Sequence, residues 1–176
     1  MNGERVITAD GYCEIRREYD ENRRVILESW FDAEGAPIAP RDTYCAVARE
    51  YDEKGSVIRE RYLDGEGNPM LNNAGYAEAR RQWNEAKQQT GESYYGTDGE
   101  SILQAKGYAA WQRELDEHGW ILKESYFGTD GAPILLAEGY AAYSRVPDGV
   151  NNTLTQIYYG TAGERVDAAA GYCEIR

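Results

Sequence analysis

A gapless internal repeat of 32 residues constrains this chain more than any other feature of its sequence. Tyrosines recur at that spacing: Tyr12, Tyr44, Tyr76, Tyr108, Tyr140 and Tyr172. If each tyrosine is position 0, an arginine stands at position 5, a glutamate or glutamine at 16, an aromatic at 18 and a glycine at 23 in five copies. A spacing that is kept without gaps over five copies does not arise by chance. The pattern therefore predicts a repeat architecture in which each copy buries a face against its neighbours.

Each copy is expected to form a β-hairpin. The stretch "YAEARRQW" from Tyr76 alternates between two faces, which is typical of a strand. The following turns, "YDEKG" at 51–55 and "LDEHG" at 115–119, combine an aspartate with a glycine suited to positive φ. A second strand follows, as in "SVIRERYL" from Ser56. The connector at 133–138, "PILLAE", is either a third short strand or one helical turn.

The hairpins predict an all-β fold over residues 1–176, a single solenoid-like array of stacked units. Two strands per unit would advance the array by roughly 10 Å per copy. The strings "ERVITADGYCEIR" (Glu4–Arg16) and "ERVDAAAGYCEIR" (Glu164–Arg176) nearly match, and Gly3 occupies position 23 of a preceding partial copy. We expect either that the array was cut from a longer protein or that the last half-copy is a cap.

The arginine at position 5 and the glutamate at position 16 are predicted to meet on one strand face. Because a partly buried charge needs a partner, we interpret these residues as structural ion pairs. The pairs are Arg17 with Glu28, Arg49 with Glu60, Arg81 with Glu92, and Arg113 with Glu124. In the fifth copy, Gln156 takes the place of the glutamate opposite Arg145.

The net charge of −12 argues against a nucleic-acid partner, which requires clustered basic residues. No apolar run is long enough to insert into a membrane. The cysteines Cys13, Cys45 and Cys173 occupy position 1, where other copies carry alanine, so we expect free thiols at small buried positions. His118 lies in a turn, and no ligand spacing predicts a metal or a cofactor.

Catalysis is not expected, because it needs a unique constellation of side chains and the prominent polar residues here recur in every copy. The exception to regularity is "VPDGVNNT" at 146–153 in the fifth copy. An enzyme hidden in that irregular copy is the third alternative.

Two bacterial repeat families resemble these copies. "YDEKGSVI" and "LDEHGWIL" resemble the YD-type repeats of RHS-like surface and toxin proteins. "ESYFGTDGAPILLAEGY" is similar to the hairpin repeats of cell-wall-binding modules of the choline-binding type. The second resemblance implies ligand sites lined by aromatics at positions 0, 18 and 19. The candidates are Tyr94, Tyr95 and Tyr108, or Tyr126, Phe127 and Tyr140.

The leading hypothesis is therefore a non-catalytic module of a bacterial surface protein, outside the cell, that binds cell-wall polysaccharide or another glycan. Repeated weak sites would gain avidity with copy number. The alternative is a structural spacer or a protein-interaction scaffold. Aromatic rings exposed in every groove between copies would favour binding, and buried tyrosines would favour the spacer.

Overall fold

The computed structural model describes residues 7–40, 43–150, 152–171 and 173–175, so Gly3 and Tyr172 lie outside the described residues. The described strands are all β-hairpin strands or continue their pattern, which confirms the all-β prediction. They are β1 (Glu14–Tyr19), β2 (Val25–Phe31), β3 (Ala46–Tyr51), β4 (Val57–Leu63), β5 (Glu78–Trp83), β6 (Gln89–Tyr95), β7 (Ala110–Leu115), β8 (Ile121–Phe127), β9 (Ala142–Pro147), β10 (Thr153–Tyr159) and β11 (Glu174–Ile175).

The chain forms two compact units. The first comprises the chain up to Arg80 together with Tyr95–Glu100, and the second comprises Arg81–Tyr94 together with the chain from Ser101 onward. Within each unit, strands that follow one another in sequence pair antiparallel. The hairpin array is therefore present in each unit, and a single solenoid over the whole chain stays a prediction.

The turn that closes each hairpin is built around an aspartate or asparagine at position 8. In the first copy, Asp20 accepts hydrogen bonds from the backbone N–H groups of Asn22 and Arg24 at 2.9 and 2.8 Å. The same arrangement recurs at Asp52, Asn84, Asp116 and Asp148. These bonds, first of all the one from the Arg24 N–H, hold the pKa of Asp20 below its ordinary value. The side chain thus fixes the turn that the sequence predicted.

Strand register then decides which side chains share a face. Position 5 lies opposite position 16 in the hairpin, as Arg49 opposite Glu60, and position 16 lies opposite position 3 of the next copy, as Glu60 opposite Ala79. We call the side that carries positions 3, 5, 16 and 18 the tyrosine face. The other side, with positions 2, 4, 15, 17 and 19, is the second face. Because strand side chains alternate, no residue can serve both faces.

The connector between copies is neither of the predicted alternatives. Pro133 makes one isolated β-bridge to Phe127, and residues 137–138 form a turn, so the 133–138 stretch is neither a strand nor a helical turn. The connector instead folds back on the preceding strand. The N–H at position 26 donates to the carbonyl oxygen at position 18 in every copy, at 2.9–3.1 Å: Ile38 to Trp30, Met70 to Tyr62, Ile102 to Tyr94, Ile134 to Tyr126, and Val166 to Tyr158. The backbone N–H at position 26 thus has a hydrogen-bond acceptor although the connector forms no regular secondary structure.

The core is thin and consists of small residues and aromatic rings. At position 1, Ala77, Ala109 and Ala141 are buried, whereas the equivalent cysteines are half-buried. The prediction of a small buried residue at this position is confirmed for the alanines and is wrong for the half-buried cysteines. At position 3 lie Val47, Ala79, Trp111 and Tyr143, all buried. Across the described ranges, no helix has the length and hydropathy to span a bilayer.

The turn residue at position 11 yields a stability prediction. Arg23 occupies it with φ 62°, where the second copy has Gly55 with φ 84°. A side chain in this left-handed region costs about 1 kcal/mol, so Arg23→Gly is expected to raise the free energy of unfolding by about that amount. Chemical denaturation measures it. Gly55→Ala is the matched reverse change and should lower stability, because a Cβ there meets nothing within 4 Å and only backbone strain acts. Equal stability of both variants and the parent would contradict the turn geometry.

Candidate functional site

Rows of aromatic rings run along the tyrosine face of each unit. In the first unit the ring centroids of Trp30, Tyr44, Tyr62 and Tyr76 follow one another at 4.6–5.7 Å. In the second unit Tyr94, Tyr108, Tyr126, Tyr140 and Tyr158 do so at 4.8–6.2 Å. The rings meet at tilted or edge-to-face angles, which is the favoured geometry of aromatic pairs. Positions 0 and 18 therefore pack against each other along each row.

In the second, third and fourth copies, a carboxylate at position 16 connects the arginine to a tyrosine. The Nε–H of Arg81 donates to Oε1 of Glu92 at 2.9 Å, and the hydroxyl of Tyr94 donates to Oε2 of the same side chain at 2.9 Å. Arg49, Glu60 and Tyr62 repeat the arrangement, with distances of 2.9 and 2.6 Å. We call each such group an Arg–Glu–Tyr triad.

The structure brings the remaining predicted pairs together as well. Arg113 and Tyr126 both donate to Glu124, which is 7% exposed. Arg17 donates to Glu28, where the residue at position 18 is Trp30 and offers no hydroxyl. In the fifth copy Arg145 donates to Gln156 at 2.9 Å, and the Gln156 amide donates to the Tyr158 hydroxyl at 2.7 Å. A neutral amide thus reproduces the geometry of the carboxylate.

Aromatic residues at position 3 cover two of the arginines. The guanidinium of Arg113 lies 4.1 Å from the Trp111 ring centroid, and that of Arg145 lies 4.8 Å from the Tyr143 centroid. The Trp111 indole N–H also donates to the Tyr94 hydroxyl at 3.2 Å. Each of the two rings at position 3 holds its guanidinium in place by cation–π attraction, in addition to the ion pair with Glu124 or the hydrogen bond to Gln156.

The predicted ligand aromatics at positions 0 and 18 line one groove of the second unit. It has a volume of about 670 Å³, and Tyr94, Tyr108, Tyr126 and Tyr140 form its wall. Tyr94, Tyr108 and Tyr126 are only 6–8% exposed, because their rings pack in the row described above. Glu92, Glu124 and Glu138 give the groove an acidic lining, with Lys106 and Arg113 among them. The groove therefore offers charged groups and little exposed ring surface.

Burial also changes the acidity of these tyrosines. Removal from water raises the pKa of Tyr62, Tyr94 and Tyr126 well above the ordinary value, and the neighbouring glutamate of each triad adds to the effect. Burial raises the pKa of Tyr143 to about 12. The cause in each case is that a phenolate would be both poorly solvated and close to a carboxylate.

The predicted ligand residues at position 19 lie apart from the other candidates, on the second face. Tyr95 is half-buried in the first unit, where the Arg80 guanidinium lies 3.8 Å from its ring centroid. Phe127 is half-buried in the second unit and lines a separate cavity of about 460 Å³. The aromatics at positions 18 and 19 of one copy therefore do not form a common site.

Sequence reasoning missed a charged network on the second face of the first unit. Arg59 donates to Glu78 at 2.6 Å and to Glu50 at 3.2 Å, while Arg80 donates to the other oxygen of Glu78 at 2.6 Å. Glu78 is buried at 7% exposed, and both arginines stabilise its carboxylate. The alternating Glu and Arg at positions 2, 4 and 15 were visible in the sequence, but they recur only in part, so the repeat did not single them out.

The remaining sequence candidates carry little chemistry. His118 is exposed, and its ring lies 4.8 Å from that of Trp120. Among the residues that the structure describes, no cluster of metal-binding side chains is present. No protein-family model matches the chain, and no curated protein matches it in sequence.

Alkaline pH should destabilise the protein, because it favours ionisation of the tyrosines that the fold buries. Because burial raises the folded-state pKa of these groups above 10.0, the unfolded chain loses its phenol protons first as pH rises. Stability is then complete below pH 10 and falls above it, by about 1.4 kcal/mol per pH unit for each buried tyrosine. Denaturation at a series of pH values, with tyrosinate absorbance and circular dichroism followed together, measures this.

The control is Tyr143→Phe, which removes the group whose pKa is raised to about 12 and should make the pH dependence less steep. Ionisation of the buried tyrosines near pH 10 with the sheet intact would contradict the role assigned to burial.

The triads yield a second prediction at Glu92. Glu92→Ala leaves Arg81 and Tyr94 without their shared acceptor and is expected to cost about 2–3 kcal/mol of unfolding free energy. Glu92→Gln should cost about 1 kcal/mol or less, because Gln156 makes both contacts in the fifth copy. Urea denaturation of the two variants is the measurement. An equal loss in both would show that charge, and not hydrogen-bond geometry, governs the triad.

Proposed function

We propose that this chain is a non-catalytic repeat scaffold or spacer of a bacterial surface protein, whose tyrosine face holds its hairpins together. The main support for this proposal is that the residues repeated in every copy contact one another. In the second and third copies the arginine and the tyrosine hydroxyl both donate to the glutamate between them, and the rings pack in rows. A side chain that is already bonded and buried is poorly placed to recognise a ligand.

The acidic surface also supports a scaffold. A net charge of −12 keeps an extended surface soluble and discourages association between copies of the chain. Placement outside the cell rests on the resemblance to bacterial surface repeats. Partners of a scaffold would be other proteins or the other domains of a longer chain.

The proposal includes an elongated, solenoid-like stacking of the copies. Deletion of residues 109–140 removes one copy and rejoins position 0 to position 1, so the register is kept. The maximum dimension from small-angle X-ray scattering is expected to shorten by roughly 10 Å. Deletion of half a copy breaks the register and is the matched control. A dimension unchanged by the in-register deletion would contradict the array.

Glycan binding is the second candidate function, and one observation favours it. Phe127, one of the aromatics predicted to contact a ligand, lines the 460 Å³ cavity on the second face. That volume lies within the range of small-molecule sites. The tyrosine rows are not needed for such a site.

The variant Tyr94→Phe distinguishes a scaffold role of the tyrosine face from a ligand-binding role. The change removes a hydroxyl that donates to Glu92 and accepts from Trp111, so the unfolding free energy should fall by about 1–2 kcal/mol. Retention on peptidoglycan and on a glycan panel should be the same as for the parent. A variant with parental stability that loses glycan retention would overturn the scaffold assignment of this face.

A further inference from the structure

The cavity on the second face lies where the first and third copies carry large side chains and the fifth copy carries two small ones. In the first and third copies an arginine at position 4 covers the aromatic ring at position 19. Arg16 lies 3.7 Å from the Phe31 centroid, and Arg80 lies 3.8 Å from that of Tyr95. In the fifth copy, positions 2 and 4 are Ala142 and Ser144. Space that the first and third copies fill with Glu and Arg side chains is therefore open beside Tyr159. The second copy has equally small residues, Ala46 and Ala48, but carries Leu63 in place of an aromatic at position 19.

Two rings flank this space. Phe127 belongs to β8 and Tyr159 to β10, and Ala142 of β9 lies between those strands, paired with Ser125 on one side and Tyr159 on the other. Two strand spacings place the rings on the order of 10 Å apart. That separation admits one six-membered ring with its substituents, with apolar contact to either aromatic side chain.

The polar groups around the cavity are hydroxyls and one ammonium. Ser125, Ser144, Tyr159 and Thr161 supply hydroxyls, and those of Ser144 and Tyr159 meet at 3.0 Å. Of the described residues that line the cavity, Lys123 alone is charged. Its amine is 3.7 Å from Glu114, in a pair whose side chains are 44% and 71% exposed, and such a surface pair is weak.

From these groups we infer that the cavity is a binding site for a carboxylated sugar ring, such as a uronic acid unit of a polysaccharide. The apolar face of the sugar would stack on Phe127 or Tyr159, its hydroxyls would bond to the serines, and its carboxylate would pair with Lys123. Lys123 would then exchange its weak surface pair with Glu114 for the carboxylate of the sugar. The inference deepens the glycan-binding candidate and is independent of the scaffold assignment.

The test is calorimetric titration of the full chain with a glucuronic-acid oligosaccharide, its neutral glucose counterpart and benzoate. The acidic oligosaccharide is expected to bind at least about tenfold more tightly than the neutral one, because an ionic hydrogen bond contributes about 1.5–3 kcal/mol. Lys123→Gln should remove that difference. Lys106→Gln changes a lysine of the tyrosine groove and should leave binding unchanged.

A second experiment fills the cavity with larger side chains. The double change Ala142→Glu and Ser144→Arg copies the Glu78 and Arg80 arrangement of the third copy and should abolish binding. If it unfolds the protein, Phe127→Leu removes a stacking ring and should weaken binding; the second copy already carries a leucine, Leu63, at this position. Equal affinity for both oligosaccharides, binding of benzoate alone, unchanged binding by the folded filled variant, or no binding would each overturn the assignment. Tyr94→Phe should not affect this titration, so failure here leaves the scaffold proposal standing.

Discussion

The shared carboxylate at position 16 is the contact on which the tyrosine face depends. In the second and third copies it accepts from the arginine of the neighbouring strand and from the tyrosine two residues ahead on its own strand. A lone hairpin is marginal in water, and it cannot bury a charged pair by itself. Because the next copy supplies position 3 beside that carboxylate, each triad becomes partly dry only when copies adjoin. The hydrogen bonds of the triad and the packing of adjacent copies therefore depend on each other.

That requirement explains which positions repeat and which vary. Positions 5, 16 and 18 are committed to the triad, so they change little from copy to copy. The second face has no repeated group equivalent to the triad, and its side chains differ from copy to copy. The first unit fills it with the Arg59, Glu78 and Arg80 network, whereas the second unit leaves a cavity beside Ala142. In such an array, chemistry specific to one copy can arise where the repeat does not constrain the side chain.

The sequence predicted most of the fold because period, turn chemistry and strand alternation agree with one another. The Arg–Glu partners could be named in advance, because alternation along each strand and the inward orientation of the apolar residues of the hairpin place Arg81 and Glu92 on one side. The connector could not be assigned, because its backbone is satisfied by the carbonyl at position 18, a contact that no periodicity encodes. Nor could the cavity be found, since it arises from what Ala142 and Ser144 lack and not from a motif.

The fifth copy shows how far the triad can relax. Gln156 keeps both contacts while it removes a negative charge, so geometry is retained with less ionic attraction. The same copy has an irregular turn, with positive φ at Gly149 directly after Asp148, and the small residues that open the second face. Copies 1 and 3 cover their position-19 rings with their own arginines. In the fifth copy Ser144 stands in place of that arginine, and a bound sugar would supply the missing contact to Tyr159 from outside the chain.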